Sequence, residues 1–87
     1  MLYFVYILYS TGLQKYYIGY TSSLVEERLR KHNARHRGFT GRNADWMIKY
    51  TETFYTKADA MNREREIKAW KSRIKIEQLI EKRNSNK

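Results

Sequence analysis

The stretch Tyr3-Phe4-Val5-Tyr6-Ile7-Leu8-Tyr9-Ser10-Thr11-Gly12-Leu13-Gln14-Lys15-Tyr16-Tyr17-Ile18-Gly19-Tyr20-Thr21 decides the fold. Leu2 to Tyr9 is dense in β-branched and aromatic residues and reads as a buried strand. Ser10-Thr11-Gly12 is a turn signal, and Tyr16 to Tyr20 reads as the returning strand. A hairpin centred on Thr11 and Gly12 sets Tyr6 opposite Tyr17 and Phe4 opposite Gly19. Directly opposed residues share a sheet face, so Tyr6 and Tyr17 are expected side by side. Tyrosines in a hairpin ordinarily serve core and cross-strand packing, so the pair alone assigns no chemistry.

Outward from the hairpin, Ser23-Leu24-Val25-Glu26 fits the S-x-x-E capping box and predicts a helix running to about Arg35 and stopping before Gly38. Phe39 to Asp45 reads as loop. Trp46 to Tyr55 alternates imperfectly and reads as a third strand. Thr56 can cap a second helix over Lys57 to Lys71. Ser72 opens a third, with Ile76, Leu79 and Ile80 as its apolar stripe. The order β-β-α-β-α-α, without strict alternation, predicts an α+β fold: a small three-stranded antiparallel sheet flanked by helices. One domain over residues 1–83 is expected, with 84–87 as a disordered tail.

Composition narrows the partners. Eighteen Lys and Arg against nine Asp and Glu give a formal net charge of +9 on 87 residues. A 41% hydrophobic content supports one core and argues against wholesale disorder. No cysteine is present, which excludes disulfides and thiolate–metal sites and fits a cytoplasmic protein. The run from Leu2 to Tyr9 is far short of the ~20 residues of a membrane span, and it lacks the features of a signal peptide. Such a charge suits nucleic acid, an anionic membrane or an acidic protein. No helix sets a strongly apolar face against a basic one, so no membrane partner is expected. Arg, Lys and tyrosine hydroxyls are phosphate-facing groups, and eight tyrosines are present, so nucleic acid leads. The plainer alternative is a basic ribosome-type binding protein with tyrosines in its core.

Polar residues inside apolar helical arcs need a reason. On the first helix Leu24, Val25 and Leu29 define an arc that also contains Arg28 and His32, while Glu26, Glu27 and Arg30 fall outside it. On the second, Ala60, Met61 and Ile67 define an arc with Glu64 in its middle, and Glu66 points away. An arginine there can lay its stem over the core edge and keep its head wet. Arg28 and Glu64 can also form one structural salt bridge. If they converge, two tyrosines, an arginine, a histidine and a glutamate are instead a phosphodiester-cleaving set.

The pattern Tyr3-Phe4-Val5-Tyr6-Ile7, then Tyr17-Ile18-Gly19-Tyr20-Thr21, then a helix with Arg28 and His32, resembles a GIY-YIG nuclease domain, and most closely its small stand-alone bacterial members. Eleven positions separate Tyr6 from Tyr17 and eleven more reach Arg28, which is far more specific than a YIG tripeptide. The similarity extends through Trp46 to Tyr50 and through Arg63-Glu64 with Ile67-Lys68, from about Tyr3 to Ile80. The first motif departs from the family name, with Phe4-Val5-Tyr6 in place of Gly-Ile-Tyr, but its tyrosine is kept.

The resemblance implies hydrolysis of phosphodiester bonds, in DNA, with one divalent metal. It implies that Tyr6 and Tyr17 lie at the active site and that Gly19 keeps the backbone close to the substrate. Arg28 is implied on the scissile phosphate and Glu64 on the metal, Mg²⁺ or Mn²⁺, with His32 at a frequently polar active-site position. Water activated at Tyr6, with Tyr17 positioning the phosphate and His32 relaying the proton, is the favoured route; a covalent tyrosine–DNA intermediate is the other. Nearby positive charge is expected to lower the tyrosine pKa. No attached DNA-binding domain is read in the sequence, so specificity is expected to be low, to come from a protein partner, or to come from nucleic-acid shape. A non-catalytic basic nucleic-acid-binding module on the same fold is the alternative.

Overall fold

The computed structural model describes residues 1–34 and 45–85. The elements run β1 (Tyr3–Ser10), β2 (Lys15–Thr21), α1 (Val25–Asn33), β3 (Trp46–Phe54), α2 (Lys57–Trp70) and α3 (Arg73–Ser85). The three strands form one antiparallel sheet in the order β2-β1-β3. This is the expected α+β architecture. The helix α3 reaches two residues into the expected tail, and 86–87 lie outside the described residues.

The hairpin register differs from expectation by two residues. Tyr6 faces Gly19, and Tyr17 faces Leu8. The cause is a four-residue turn instead of a two-residue one. Gln14 takes a left-handed conformation at φ 54°, and its amide donates to the Ser10 carbonyl at 2.7 Å. Asp45 holds this wider loop, accepting from Ser10 Oγ and from the Gly12 amide, both at 2.6 Å. A shift of two preserves the face on which every side chain points. Tyr6 and Tyr17 therefore remain diagonal neighbours, with ring centroids 6.3 Å apart.

The third strand explains its own broken alternation. Ile7 pairs with Tyr50 and Leu8 with Ile48, so Lys49 is an extra, bulged residue. The bulge turns Trp46 and Ile48 to one face and Tyr50 to the other, although all three are even-numbered. One core, under α2 and α3, joins Val5, Ile7, Ile18, Tyr50, Ala60, Ile67 and Ile76. The other, under α1, joins Tyr6, Leu8, Val25 and Trp46.

The capping box does not form. Ser23 donates its amide to Thr21 Oγ1 at 3.0 Å, and its own hydroxyl lies 2.9 Å from the same atom. Leu24 takes the N-cap position with no side-chain cap and is 61% exposed, so it does not belong to the apolar arc. The buried Thr21 hydroxyl at the strand end takes Ser23 first, an example of side chain–backbone bonding competing with a helix terminus. The helix also stops two residues early, because Ala34 is extended. Asn33 instead bonds the backbone of Trp46, accepting from its amide at 2.8 Å and donating to its carbonyl at 3.0 Å. Gly38 and nearly all of the expected loop over Phe39 to Asp45 lie outside the described residues.

The later helices follow the sequence. Thr56 Oγ1 accepts from the Asp59 amide at 3.2 Å, and Ser72 Oγ accepts from the Lys75 amide at 3.2 Å. The α2 helix ends at Trp70, one residue before expectation, because Lys71 turns left-handed at φ 47°. Arg63 ties α2 to β3, bonding Glu52 at 3.1 Å. Arg73 ties α3 to the hairpin, reaching the Gln14 carbonyl at 2.8 Å and Tyr9 Oη at 3.2 Å.

Candidate active site

The α1 face of the sheet gathers the singled-out polar residues. Tyr6, on the central strand, is 1% exposed and sits opposite Gly19. A Cβ at Gly19 would stand 2.7 Å from Tyr6 Oη and 2.8 Å from Cζ, with Tyr17 Cε1 at 3.1 Å. Absence of a side chain there is what lets the Tyr6 ring lie across β2. The Gly19 backbone has no positive φ, so space alone dictates the residue.

Helix α1 brings in His32 and Arg28. His32 is buried, and its Nε2 lies 3.2 Å from Tyr6 Oη. Its ring is 4.5 Å from that of Tyr17, centroid to centroid. Tyr17 also meets Trp46 edge-on at 6.4 Å. The i, i+4 spacing of Arg28 and His32 puts both over the same part of the sheet. Arg28 is half-buried, and its Nε is fully buried without a hydrogen-bond partner.

Burial pushes the Tyr6 phenol above its ordinary range, and the fields of Tyr17 and Glu64 add to that rise. The Arg28 guanidinium acts the other way but does not prevail. The expected lowering of the tyrosine pKa is therefore reversed, because desolvation outweighs the neighbouring positive charge. The same set of influences puts Arg28, Tyr17 and Glu64 within electrostatic reach of one hydroxyl.

Glu64 is 17% exposed and carries Lys68 at 3.5 Å, one helical turn on. Glu66 is 58% exposed and bonds Arg63 at 2.9 Å. Their phases on α2 are as read from the sequence. Arg28 and Glu64 form no ion pair with each other, so the structural salt bridge is not there. Among the described residues no three His, Asp or Glu side chains converge. A donor set of one carboxylate suits a hard cation that keeps several waters and takes phosphate oxygens, as Mg²⁺ does. It does not suit a zinc centre closed by three or four protein ligands.

Two residues beside this cluster were not singled out in the sequence. Trp46 backs Tyr17, and only the bulge at Lys49, a tertiary feature, turns it to this face. Lys57 lines a cleft beside Arg28. Its signal was available: a lysine at the first position of a helix opposes the helix dipole.

Residues 2–84 match the sequence profile of the GIY-YIG catalytic domain. The solution NMR structure of the UPF0213 protein BH0048 from Bacillus halodurans is similar, with 34% sequence identity and a TM-score of 0.57. The match covers 93% of this chain and 84% of that one. No curated protein matches. Among the described residues no helix is long and apolar enough to cross a membrane. With the family profile spanning nearly the whole chain, and a solved relative 34% identical over 93% of it, the protein belongs to the GIY-YIG family of nuclease-type domains.

Proposed function

We propose that this domain, residues 1–83, is a divalent-metal-dependent endonuclease that hydrolyses phosphodiester bonds, with DNA as its substrate. The observation that carries the reading is the contact between Tyr6 Oη and His32 Nε2, with Arg28, Tyr17 and Glu64 in electrostatic reach of the same hydroxyl.

With its pKa raised, Tyr6 stays a neutral phenol near pH 7 and is not a free-standing base. The partner at 3.2 Å removes that difficulty. In the tautomer protonated at Nδ1, His32 Nε2 accepts the Tyr6 proton while Tyr6 Oη takes one from the attacking water. The phenol passes a proton on without ever having to persist as an anion. Arg28 offers a planar fork to the non-bridging oxygens, where charge gathers as the water adds. Tyr17, wedged between His32 and Trp46, orients the phosphate. Glu64 would hold Mg²⁺ or Mn²⁺, once Lys68, which is half-exposed, swings aside. The bound ion supplies charge neutralisation and stabilisation of the leaving 3′-oxygen. Gly19 keeps the space that the Tyr6 ring fills.

A plasmid-nicking assay with Mg²⁺, Mn²⁺ or EDTA tests the activity, and Glu64 tests the metal. Glu64→Gln should abolish metal-dependent nicking while DNA binding persists, and Glu66→Gln should change little. Binding without nicking by the wild-type chain under every metal condition would instead favour a non-catalytic nucleic-acid-binding module. Equal losses in the two variants would show that Glu64 has no special role.

A further inference from the structure

Next to Arg28 a cleft of about 460 Å³ opens between the ends of β1 and β2 and the first turns of α1 and α2. Tyr3, Tyr20, Thr21, Ser22, Ser23, Arg28 and Lys57 line it. Two cations and five hydroxyls therefore face one space, and among the described residues no carboxylate lines it. The exposed Glu26 and Glu27 of α1 are not among its walls.

Three features of these walls are left unresolved by the protein itself. Arg28 Nε is buried with no hydrogen-bond partner, an arrangement that costs free energy unless something else answers it. Lys57 is the first residue of α2, where the backbone dipoles already present positive charge, and it has no ion-pair partner among the described residues. The α1 helix opens at this cleft without a side-chain cap. An anion with several acceptor oxygens answers all three. The cleft adjoins the guanidinium assigned above to the scissile phosphate, so a phosphate of the same strand is the anion best placed to enter it.

We infer that this cleft binds the phosphate adjacent to the scissile one, with Lys57 as its principal cation and the Ser22 and Ser23 hydroxyls as donors. This rests on the nuclease reading and extends it: the substrate is a strand continuing past the cut, and Lys57 fixes which bond is presented to Tyr6. Arg28 then bridges two successive phosphates, and its unpartnered Nε is accounted for.

Binding is measured first, in EDTA, with a fluorescein-labelled DNA duplex and with its single strand. Lys57→Ala should reduce the slope of log K against log[salt] by about 0.9 for the duplex and about 0.7 for the single strand, the loss of one phosphate contact. Lys57→Arg should retain the slope. Melting of Lys57→Ala should be unchanged or raised, because a cation leaves a helix N-terminus. Cleavage mapping follows, on a strand with one methylphosphonate linkage. Wild-type protein should skip the bond on one side of the neutral linkage, and Lys57→Ala should lose that discrimination. If the wild type cuts while Lys57→Ala keeps both the slope and the discrimination, the subsite is wrong and the nuclease reading stands. If the wild type neither binds nor cuts, both are wrong.

Discussion

Substituting Gly19 by alanine probes the site with a single methyl group. That methyl would lie 2.7 Å from Tyr6 Oη and 2.8 Å from Cζ, where ordinary contact begins at 3.4 Å. Relief requires the phenol tip to move about 0.7 Å, the difference between those two distances. The ring has little freedom to do so, being 1% exposed and packed beside Tyr17, with His32 at its hydroxyl. Overpacking of this kind costs about 1–3 kcal/mol. In a domain of this size each kcal/mol lowers the melting temperature by about 4–8 °C. A displacement approaching 1 Å at the reacting groups costs about 10²-fold in rate. Gly19→Ala should therefore melt measurably earlier and nick plasmid at least about 10²-fold more slowly. Adding Tyr6→Phe removes the nearest atom in the clash, so the double variant should regain part of the lost stability and none of the activity. A Gly19→Ala protein that melts and nicks like the wild type would refute the placement of Tyr6 across β2.

Other expectations follow from the same geometry. Arg28→Ala should lower nicking by about 10²-fold or more, with melting unchanged or raised, since no carboxylate is left unpaired; Arg28→Lys should restore only part. A stability loss of about 3–5 kcal/mol, as for a broken buried ion pair, would contradict this. If a proton passes from Tyr6 to His32, then Tyr6→Phe and His32→Gln should each cost about 10²–10⁴-fold, and the double variant no more than the worse single one. Burial raises the phenols of Tyr6, Tyr16 and Tyr50, the last two helped by the Glu77 and Glu52 carboxylates. The folded state then holds these protons more tightly than the unfolded chain. Their stabilisation is complete below about pH 10 and is lost as pH rises further. Melting temperatures should fall across that window, less steeply in Tyr50→Phe, and a rise there would contradict the reading.

Element type and order were legible because they depend on local signals: β-branched and aromatic runs, the Thr56 and Ser72 caps, the stripe of Ile76, Leu79 and Ile80. The phase that separates Glu64 from Glu66 was equally local. What escaped depends on contacts distant in sequence. The hairpin turn is four residues wide because Asp45, more than thirty positions on, braces Ser10 and Gly12. The capping box at Ser23 fails because Thr21 competes for the same residue. The tyrosine pair survived the register error because a shift of two residues leaves faces unchanged. The direction of the Tyr6 pKa shift is not legible in sequence, because proximity of positive charge follows from spacing whereas the degree of burial does not.

The two faces of the sheet divide the work. Beneath α2 and α3 the polar groups are answered: Arg63 lies between Glu52 and Glu66, and Arg73 reaches Glu77, Tyr9 and the Gln14 carbonyl. Around α1 and the cleft beside it some are not. Arg28 Nε lacks a partner, α1 lacks a side-chain cap, and Lys57 begins α2 with the wrong sign of charge. A domain of this size has a small margin of stability, and departures from the local rules on one side must be offset by the other. Such departures concentrate where a ligand supplies the missing interactions. The central strand joins the faces: Val5 and Ile7 point into the well-satisfied core, and Tyr6 between them points at His32. The phenol is thus fixed by the most constrained strand of the sheet, beside an arginine whose Nε has no protein partner.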